Sequence, residues 1–363
     1  MSSQHLALDT VYQGDCLDIL PTFPAQSVDM IFADPPYNLQ LEKVLWRPNF
    51  TAVDAVDDEW DQFASFADYD TFTRNWLAAA RRIMKDTASI WVSGTYHNIF
   101  RVGAIMQDLG FWLLNTVTWY RTNAMPNFRG TRFKNDVEFI IWAKRSKDAT
   151  YTFNYHKMKQ FNEGKQLGSV WQIPICGRGE RIRGEDGKKL HSTQKPEALL
   201  HRIVLASTSL GDVVLDPFLG TGTTAAVAKQ LHRHWIGMDA AELYVKAARN
   251  RINTTIPLPS DHPDLNIRPK PRRVPFQKLL ELGYLEPNQR LYLKKTEHVS
   301  TILADGKIKL NGYVGSIHDV AKRTKKLGTC NGWTQWYYVD EATGEKHLID
   351  VLRERFREEN ADW

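Results

Sequence analysis

Cysteine is scarce in this 363-residue chain. Only Cys16, Cys176 and Cys330 are present, far apart and with no CxxC pair. That excludes a disulfide framework and a cysteine-built zinc site, and it gives a reducing, cytoplasmic setting as the expectation. No apolar run approaches bilayer length, so no membrane partner is expected. Met1 to Thr10 has neither a basic nor an apolar leader segment, so no export signal is expected. Internal repeats and long low-complexity segments are missing as well. The formal net charge is only +5, compatible with a polyanion partner without proving one. Tryptophan, by contrast, is abundant at 12 residues, and the apolar fraction of 42% is that of an ordinary globular chain. The length suits two domains, or one large and one small.

One stretch stands out. Val28-Asp29-Met30-Ile31-Phe32-Ala33 reads as a strand, and Asp34-Pro35-Pro36-Tyr37 follows it. Two consecutive prolines bring no N–H and stop the ladder. Asp34, the proline carbonyls and Tyr37 are thereby left at the carboxyl edge of the strand, where open α/β sheets bind ligands. The plain alternative is a strand followed by a rigid turn.

The remaining chain alternates strand and helix. Val11 to Leu20 reads as a short strand, a Gly-Asp turn and a short helix. A long loop covers Asn38 to Asp68. A helix capped by Asp70 runs to about Lys85, then come a strand over 88–92, a helix over 97–109, a strand over 111–120, a loop over 121–135 and a strand over 137–143. Residues 145–194 read as irregular, basic and aromatic. Pro196 is well placed to open a helix. A strand over 213–216, a helix over 223–231, a strand over 235–239 and a helix over 241–252 complete the pattern. The expectation is a largely parallel sheet with helices on both faces. Thr254 to Pro275 is rich in proline and basic residues and reads as a semi-rigid linker. Phe276 to Trp363 reads as a small α+β domain with short strands, an Asp305-Gly306 hairpin turn and a C-terminal helix. The expected organisation is a first domain over 1–256, a linker over 257–275 and a second domain over 276–363.

Asp216-Pro217-Phe218-Leu219-Gly220-Thr221-Gly222-Thr223-Thr224-Ala225 lies between a strand and a helix. Gly220 permits the turn, Gly222 lets backbone approach a ligand, and Ala225 allows close packing. Asp239 ends the next strand, where a carboxylate suits ribose hydroxyls. Gly222 is followed by Thr-Thr rather than Lys-Ser/Thr, which excludes a phosphate-cradling NTPase loop.

Together, Asp34-Pro35-Pro36-Tyr37 and Asp216 to Ala225 resemble the S-adenosylmethionine-dependent amino-methyltransferases of DNA. The catalytic element precedes the cofactor loop, which matches the β-class of that family. Its motif order is circularly permuted on a Rossmann-like methyltransferase sheet. His191-Ser192-Thr193-Gln194-Lys195-Pro196 matches the segment before the cofactor loop, and Gly14-Asp15-Cys16 the segment that bonds the cofactor's adenine. Further stretches, among them Ser93 to Arg101, Met125-Pro126-Asn127-Phe128 and Cys330-Asn331-Gly332-Trp333-Thr334, are similar to the alphaproteobacterial cell-cycle-regulated DNA adenine methyltransferases. The resemblance covers almost the whole chain. It implies S-adenosylmethionine held by Asp15, Cys16, Asp34, His191, Lys195, Pro196, Asp216, Phe218, Gly220, Gly222, Thr223, Thr224 and Asp239. It also implies methylation of adenine N6 in GANTC, on unmethylated or hemimethylated duplex, by a cytoplasmic, nucleoid-associated enzyme linked to the cell cycle and DNA replication. A symmetric target leaves a second copy of the chain free to take part, so a homodimer is expected. Asp239 departs from the Glu of many relatives, and either acid suits a ribose.

The chemistry follows from the residues. An exocyclic adenine amine is a poor nucleophile because its lone pair is delocalised. Asp34 and the Pro35 carbonyl can accept its two N–H bonds and stabilise the charge that develops. Pro36 stiffens the turn, and Tyr37 offers a face to a base extruded from the duplex. A sulfonium is already activated, so no metal is expected. Trp46, Arg47, Asn49 and Phe50 read as a DNA-contacting flap, against plain surface. Asn123, Asn127, Arg129, Arg132 and Lys134 are candidates for base readout, against phosphate or solvent contacts. Arg178, Arg181 and Arg183 lie in the most basic stretch. For Ser316, Asn331 and Trp333 the resemblance implies DNA binding by the second domain, against roles in core and turn. Asp rather than Ser before Pro-Pro favours adenine N6 over cytosine N4, and the intact motifs speak against a non-catalytic DNA-binding regulator.

Overall fold

The computed structural model describes residues 6–39, 61–127, 130–177, 179–266, 273–341 and 343–360. The chain divides into two compact units, Met1–Pro269 and Lys270–Trp363.

The first unit contains β1 (Thr10–Gln13), α1 (Cys16–Ile19), β2 (Val28–Ala33), α2 (Phe66–Ile83), β3 (Met84–Gly94), α3 (Ile99–Asp108), β4 (Trp112–Tyr120) and β5 (Val137–Lys144). It continues with α4 (Tyr155–Gln160), β6 (Val170–Gln172), α5 (Glu197–Ser207), β7 (Val213–Asp216), α6 (Thr223–Gln230), β8 (His234–Asp239) and α7 (Glu242–Thr254). The strands form one sheet in the order β1-β8-β7-β2-β3-β5-β4-β6. Pairing is parallel except where β5 runs antiparallel to both β3 and β4. The Rossmann-like sheet is therefore parallel in its centre, and β5 brings its N-terminal end to the edge where β2 and β3 finish.

Both faces of the sheet are covered, which is why β2 is apolar except for Asp29, which pairs with Lys85. Val28, Ile31 and Ala33 enter a core with Trp76, Leu77, Ala80 and Val102. Met30 and Phe32 enter the opposite core, with Trp91, Trp142, Leu200 and Ile203. From Met30 to Ala33 alternation divides the side chains between two layers, and an irregularity between Val28 and Met30 turns Val28 to the first of them.

Three expectations change. Helix α2 begins at Phe66, not after Asp70, because the Ser65 hydroxyl accepts the Asp68 N–H and supplies the cap. Asp70 instead pairs with Arg101. Residues 145–194 are not wholly irregular: α4 and β6 lie within them, and β6 adds a parallel edge strand beside β4. The stretch read as a linker begins as part of the first unit. Leu265 is buried in its core, and Lys157 donates to the Pro263 carbonyl at 2.7 Å and pairs with Asp264 at 2.9 Å.

The second unit holds α8 (Phe276–Glu281), β9 (Arg290–Leu293), β10 (Val299–Ile302), β11 (Ile308–Leu310), β12 (Tyr313–Gly315), α9 (Ile317–Thr324), β13 (Trp336–Val339), β14 (Lys346–Leu348) and α10 (Ile349–Glu359). Its antiparallel sheet runs β12-β11-β10-β9-β13-β14. Asp305-Gly306 turns β10 into β11, with Gly306 at φ 76°. Leu291, Ile302, Val320, Trp336 and Phe356 form the core.

Gly222, at φ 82°, opens α6 against α7, and a Cβ there would stand 2.9 Å from the Ala248 Cα. Gly222→Ala is expected to cost about 1–3 kcal/mol of stability, read as a lowered midpoint in thermal unfolding.

Candidate active site

Strands β2 and β7 are neighbours, with Met30 opposite Val214 and Ile31 opposite Leu215. From this pair the sheet grows outward in both directions, through β3 on one side and β8 on the other. The connections diverge, and a crevice opens at the carboxyl ends of the two strands. A cavity of about 360 Å³ lies there, lined from one side by Asp34 to Tyr37 and from the other by Asp216 to Thr221.

Around Asp34 the polar groups are tightly interlocked. Its Oδ1 accepts the Tyr37 hydroxyl at 2.6 Å, and its Oδ2 accepts the Lys195 ammonium at 2.6 Å. The Tyr37 oxygen also lies 2.9 Å from Ser93 Oγ and 3.3 Å from Glu138 Oε2. Glu138 stands 3.6 Å from Lys195 and 2.9 Å from Arg121. Burial opposes the charge on Lys195, but the Asp34 and Glu138 carboxylates outweigh it and hold the ammonium above its ordinary value. Burial, with the same two carboxylates, pushes the Tyr37 phenol up, so it stays neutral and able to donate. The turn is fixed from beneath as well. The Asp61 carboxylate accepts the N–H groups of Tyr37, Asn38 and Leu39, and the Tyr69 hydroxyl donates to the Pro36 carbonyl at 3.0 Å.

The other half of the cavity is built around Asp216 and Asp239. Asp216 accepts the Phe218 N–H at 2.9 Å and the Thr224 hydroxyl at 2.6 Å. Asp239 accepts the N–H groups of Gly220 and Ala241, both at 2.9 Å. Thr223 accepts a bond from Arg251 at 2.8 Å. Burial pushes the Asp216 carboxyl up to about 7, and it also raises Asp239. Asp15 caps α1 by accepting the Leu17 N–H, and buried Cys16 lines the cavity beside it. His191 packs on Tyr244 with ring centroids 4.7 Å apart, and burial lowers its imidazole to about 4, so it is neutral at ordinary pH. Phe218, wedged against Phe72 and Trp76, forms an apolar wall. Pro196 caps α5, and its carbonyl accepts the Leu199 N–H. Gly222 serves helix packing, and neither Pro196 nor Gly222 lines the cavity. Carboxylates, aromatic rings and a neutral imidazole around one cavity suit a flat heterocycle, a ribose and a sulfonium cation, so the donor set fits S-adenosylmethionine.

The sequence matches the DNA methylase family over residues 28–250, and the Restriction Enzyme Adenine Methylase Associated family over residues 259–362. Type II methyltransferase M.HinfI of Haemophilus influenzae is 46% identical over 330 residues, which is 91% of this chain and 92% of that protein. The chain belongs to the N6/N4 DNA methylase family. Among solved structures, the M1.HpyAVI–SAM complex is 25% identical with a TM-score of 0.50, covering 67% of this methylase and 98% of that chain. PvuII DNA methyltransferase (cytosine-N4-specific) shares the fold at 20% identity, with a TM-score of 0.54 over 72% of the methylase and 91% of that chain.

The residues of the methylase singled out as DNA-binding from sequence have varied surroundings. Trp46, Arg47, Asn49, Arg129 and Arg178 lie outside the described residues. Asn123 accepts the Ile175 N–H at 2.8 Å and so joins two loops, while Asn127 accepts the Thr131 N–H. Exposed Arg132 donates to the Tyr96 hydroxyl at 3.1 Å. Arg181 donates to the carbonyls of Cys176, His191 and Ser192, which shapes the segment leading to Lys195. Arg183 closes its own turn onto the Gly187 carbonyl. In the second unit, Ser316 caps α9, Asn331 caps a single 3-10 turn, and Trp333 is buried under Arg353.

Sequence reasoning missed Glu138, Ser93, Asp61, Tyr69 and Tyr244. Only Glu138 left a signal, as a lone acid inside the apolar strand Val137–Lys144.

Two outcomes follow from the buried charges. Lys195→Met leaves two carboxylates without the cation between them and is expected to cost about 3–5 kcal/mol in urea unfolding, with part of the loss recovered in the double variant that adds Glu138→Gln. For Asp216, the raised pKa means the folded chain is favoured while the group is protonated. That contribution is complete below the unfolded value near 4 and is lost as pH rises through about 7. The cofactor-free Asp216→Asn variant should therefore lose less thermal stability than the parent between about pH 5 and about pH 8.

Proposed function

We propose that this methylase transfers a methyl group to adenine N6 in duplex DNA, at GANTC, in cell-cycle-linked methylation of the chromosome in the cytoplasm. The observation that carries the reading is an acid, Asp34, set between Tyr37 and Lys195 at the crevice between β2 and β7. Asp in this place, where cytosine-N4 enzymes use Ser, favours adenine. The match of residues 259–362 to a family described as associated with adenine methylases agrees with that choice. GANTC, the replication-linked role, unmethylated and hemimethylated substrates and a homodimeric enzyme rest on the resemblance to the cell-cycle-regulated adenine methyltransferases.

S-adenosylmethionine, when bound between Asp15, Asp239 and the Phe218 wall, supplies a methyl group on a sulfonium. The chain does the rest. Tyr37 and Lys195 each take one oxygen of Asp34, which fixes the rotation of the carboxylate and leaves further lone pairs for an N6–H. The Pro35 carbonyl accepts the other N6–H. Two acceptors draw the amine lone pair back onto nitrogen and stabilise the positive charge that grows there. Because they are held before the base arrives, little reorganisation is needed. As the N–C bond forms, the methyl–sulfur bond would break and its electron pair would stay on sulfur as a neutral thioether, while the N6 proton leaves toward Asp34. The Tyr37 ring, which lines the cavity, receives the face of the extruded base.

The test is transfer of a labelled methyl group to a GANTC duplex, followed by nucleoside analysis. Label is expected on adenine. Label on cytosine overturns the base assignment, and tight binding without label overturns the enzymatic reading. Asp34→Ala is expected to abolish transfer while leaving cofactor and DNA binding in place. Loss of cofactor binding in that variant would make Asp34 a cofactor ligand instead.

A further inference from the structure

Phe133 is the most exposed large apolar side chain among the described residues, with 98% of its surface open to water. It stands between Arg132 and Lys134, on the connection from β4 to β5. Both flanking residues are exposed, Lys134 with the Asp136 carboxylate 3.5 Å from its ammonium, and Arg132 gives the apolar ring a positive neighbour on the other side. An aromatic ring left in water forgoes the hydrophobic gain of burial, and a ring between two cations suits a surface that is negative outside and aromatic inside. Stacked base pairs under phosphates have that make-up.

The place of Phe133 is set by the catalytic cluster. Arg121 anchors the start and the end of the connection together. Its N–H donates to the Asp136 carbonyl at 2.7 Å, one guanidinium nitrogen reaches the Asn135 carbonyl, and another pairs with Glu138 at 2.9 Å. Glu138 is the same carboxylate that faces Tyr37 and Lys195. On the side of β3, Arg132 reaches the Tyr96 hydroxyl at 3.1 Å. Because β5 runs antiparallel to β3, this connection rises from the sheet edge that carries Asp34.

We propose that Phe133 is the wedge that enters the base stack of duplex DNA and fills the space left by the extruded adenine. The inference rests on the reading of this chain as a DNA adenine methyltransferase. Extrusion leaves a gap whose closure would draw the base back, and an apolar side chain inserted between base steps holds such a gap open. Arg132 and Lys134 then meet the phosphates on either side.

The test compares Phe133→Ala and Phe133→Trp with the parent under single-turnover conditions. Three substrates carry the same target: a fully paired duplex, a duplex mismatched opposite the target adenine, and a single strand. For Phe133→Ala the expected result is at least a tenfold slower transfer to the paired duplex, with nearly parental rates on the mismatched duplex and the single strand. Phe133→Trp is expected to restore the paired duplex. Equal slowing on all three substrates, or unchanged transfer to the paired duplex, overturns the wedge. A second readout needs no chemistry. With 2-aminopurine at the target position, the fluorescence rise on binding the parent should be lost in Phe133→Ala, and a rise of parental size overturns the proposal. Absence of transfer by the parent on every substrate instead overturns the functional reading on which the wedge rests.

Discussion

The contact between Lys195 and Asp34 is what the remaining site depends on. A carboxylate at the end of an apolar strand, with its side chain only 14% exposed, is costly unless a cation meets it. Lys195 supplies that cation from a segment 161 residues away. One ammonium between Asp34 and Glu138 leaves a negative excess, and Arg121 offsets it from the far side of Glu138. Four charges in alternation thus join the strand ends of β2 and β5, the start of the 121–136 connection and the segment leading into α5. Backbone pairing fixes Glu138 beside Trp119 and joins Arg121 to Asp136, and the charges tie Asp34 and Lys195 to that frame. The charges align them, and the Tyr37 hydroxyl, hydrogen-bonded to Asp34 and close to Glu138, gives the alignment a direction.

Much of this architecture was legible in the residues because it rests on local rules. The proline pair had to end β2, the glycines had to turn β7 into α6, and apolar runs bounded by turns had to be strands. Those rules put Asp34 and Asp216 at strand ends and left the sheet to bring them together. The start of α2 was misjudged because Ser65 and Asp70 are both good caps, and only the reciprocal bonds between Ser65 and Asp68 choose between them. Helix α4 and strand β6 were hidden in a segment whose aromatic and basic residues follow no period. Their structure comes from tertiary contacts, such as Lys157 with Asp264 and Trp171 in the core behind Trp91.

The polar partners of the site were harder to see for a different reason. Ser93, Asp61 and Tyr69 are ordinary residues in sequence, and they matter only because distant strands and turns place them within hydrogen-bond reach of one tyrosine and one proline carbonyl. Charge type also proved a weak guide to exposure. Arg181, in the most basic stretch, spends its guanidinium on three backbone carbonyls, and the Trp333 indole lies in a core. A residue type suited to DNA is equally suited to holding a loop in shape.

The order of the strands separates the labour of the chain in a way that bears on how such proteins change. The polar groups that build the methyl-donor half come from the first twenty residues and from those after residue 190, with Phe72 and Trp76 of α2 backing its apolar wall. The connections that surround the acceptor half, from Gly94 to Arg183, form one unbroken stretch between them. Along the chain they lead back to the donor half through the segment that ends in Lys195. The connections of this stretch can therefore change as a single piece of chain, provided that the piece keeps Glu138 and Arg121 at its base.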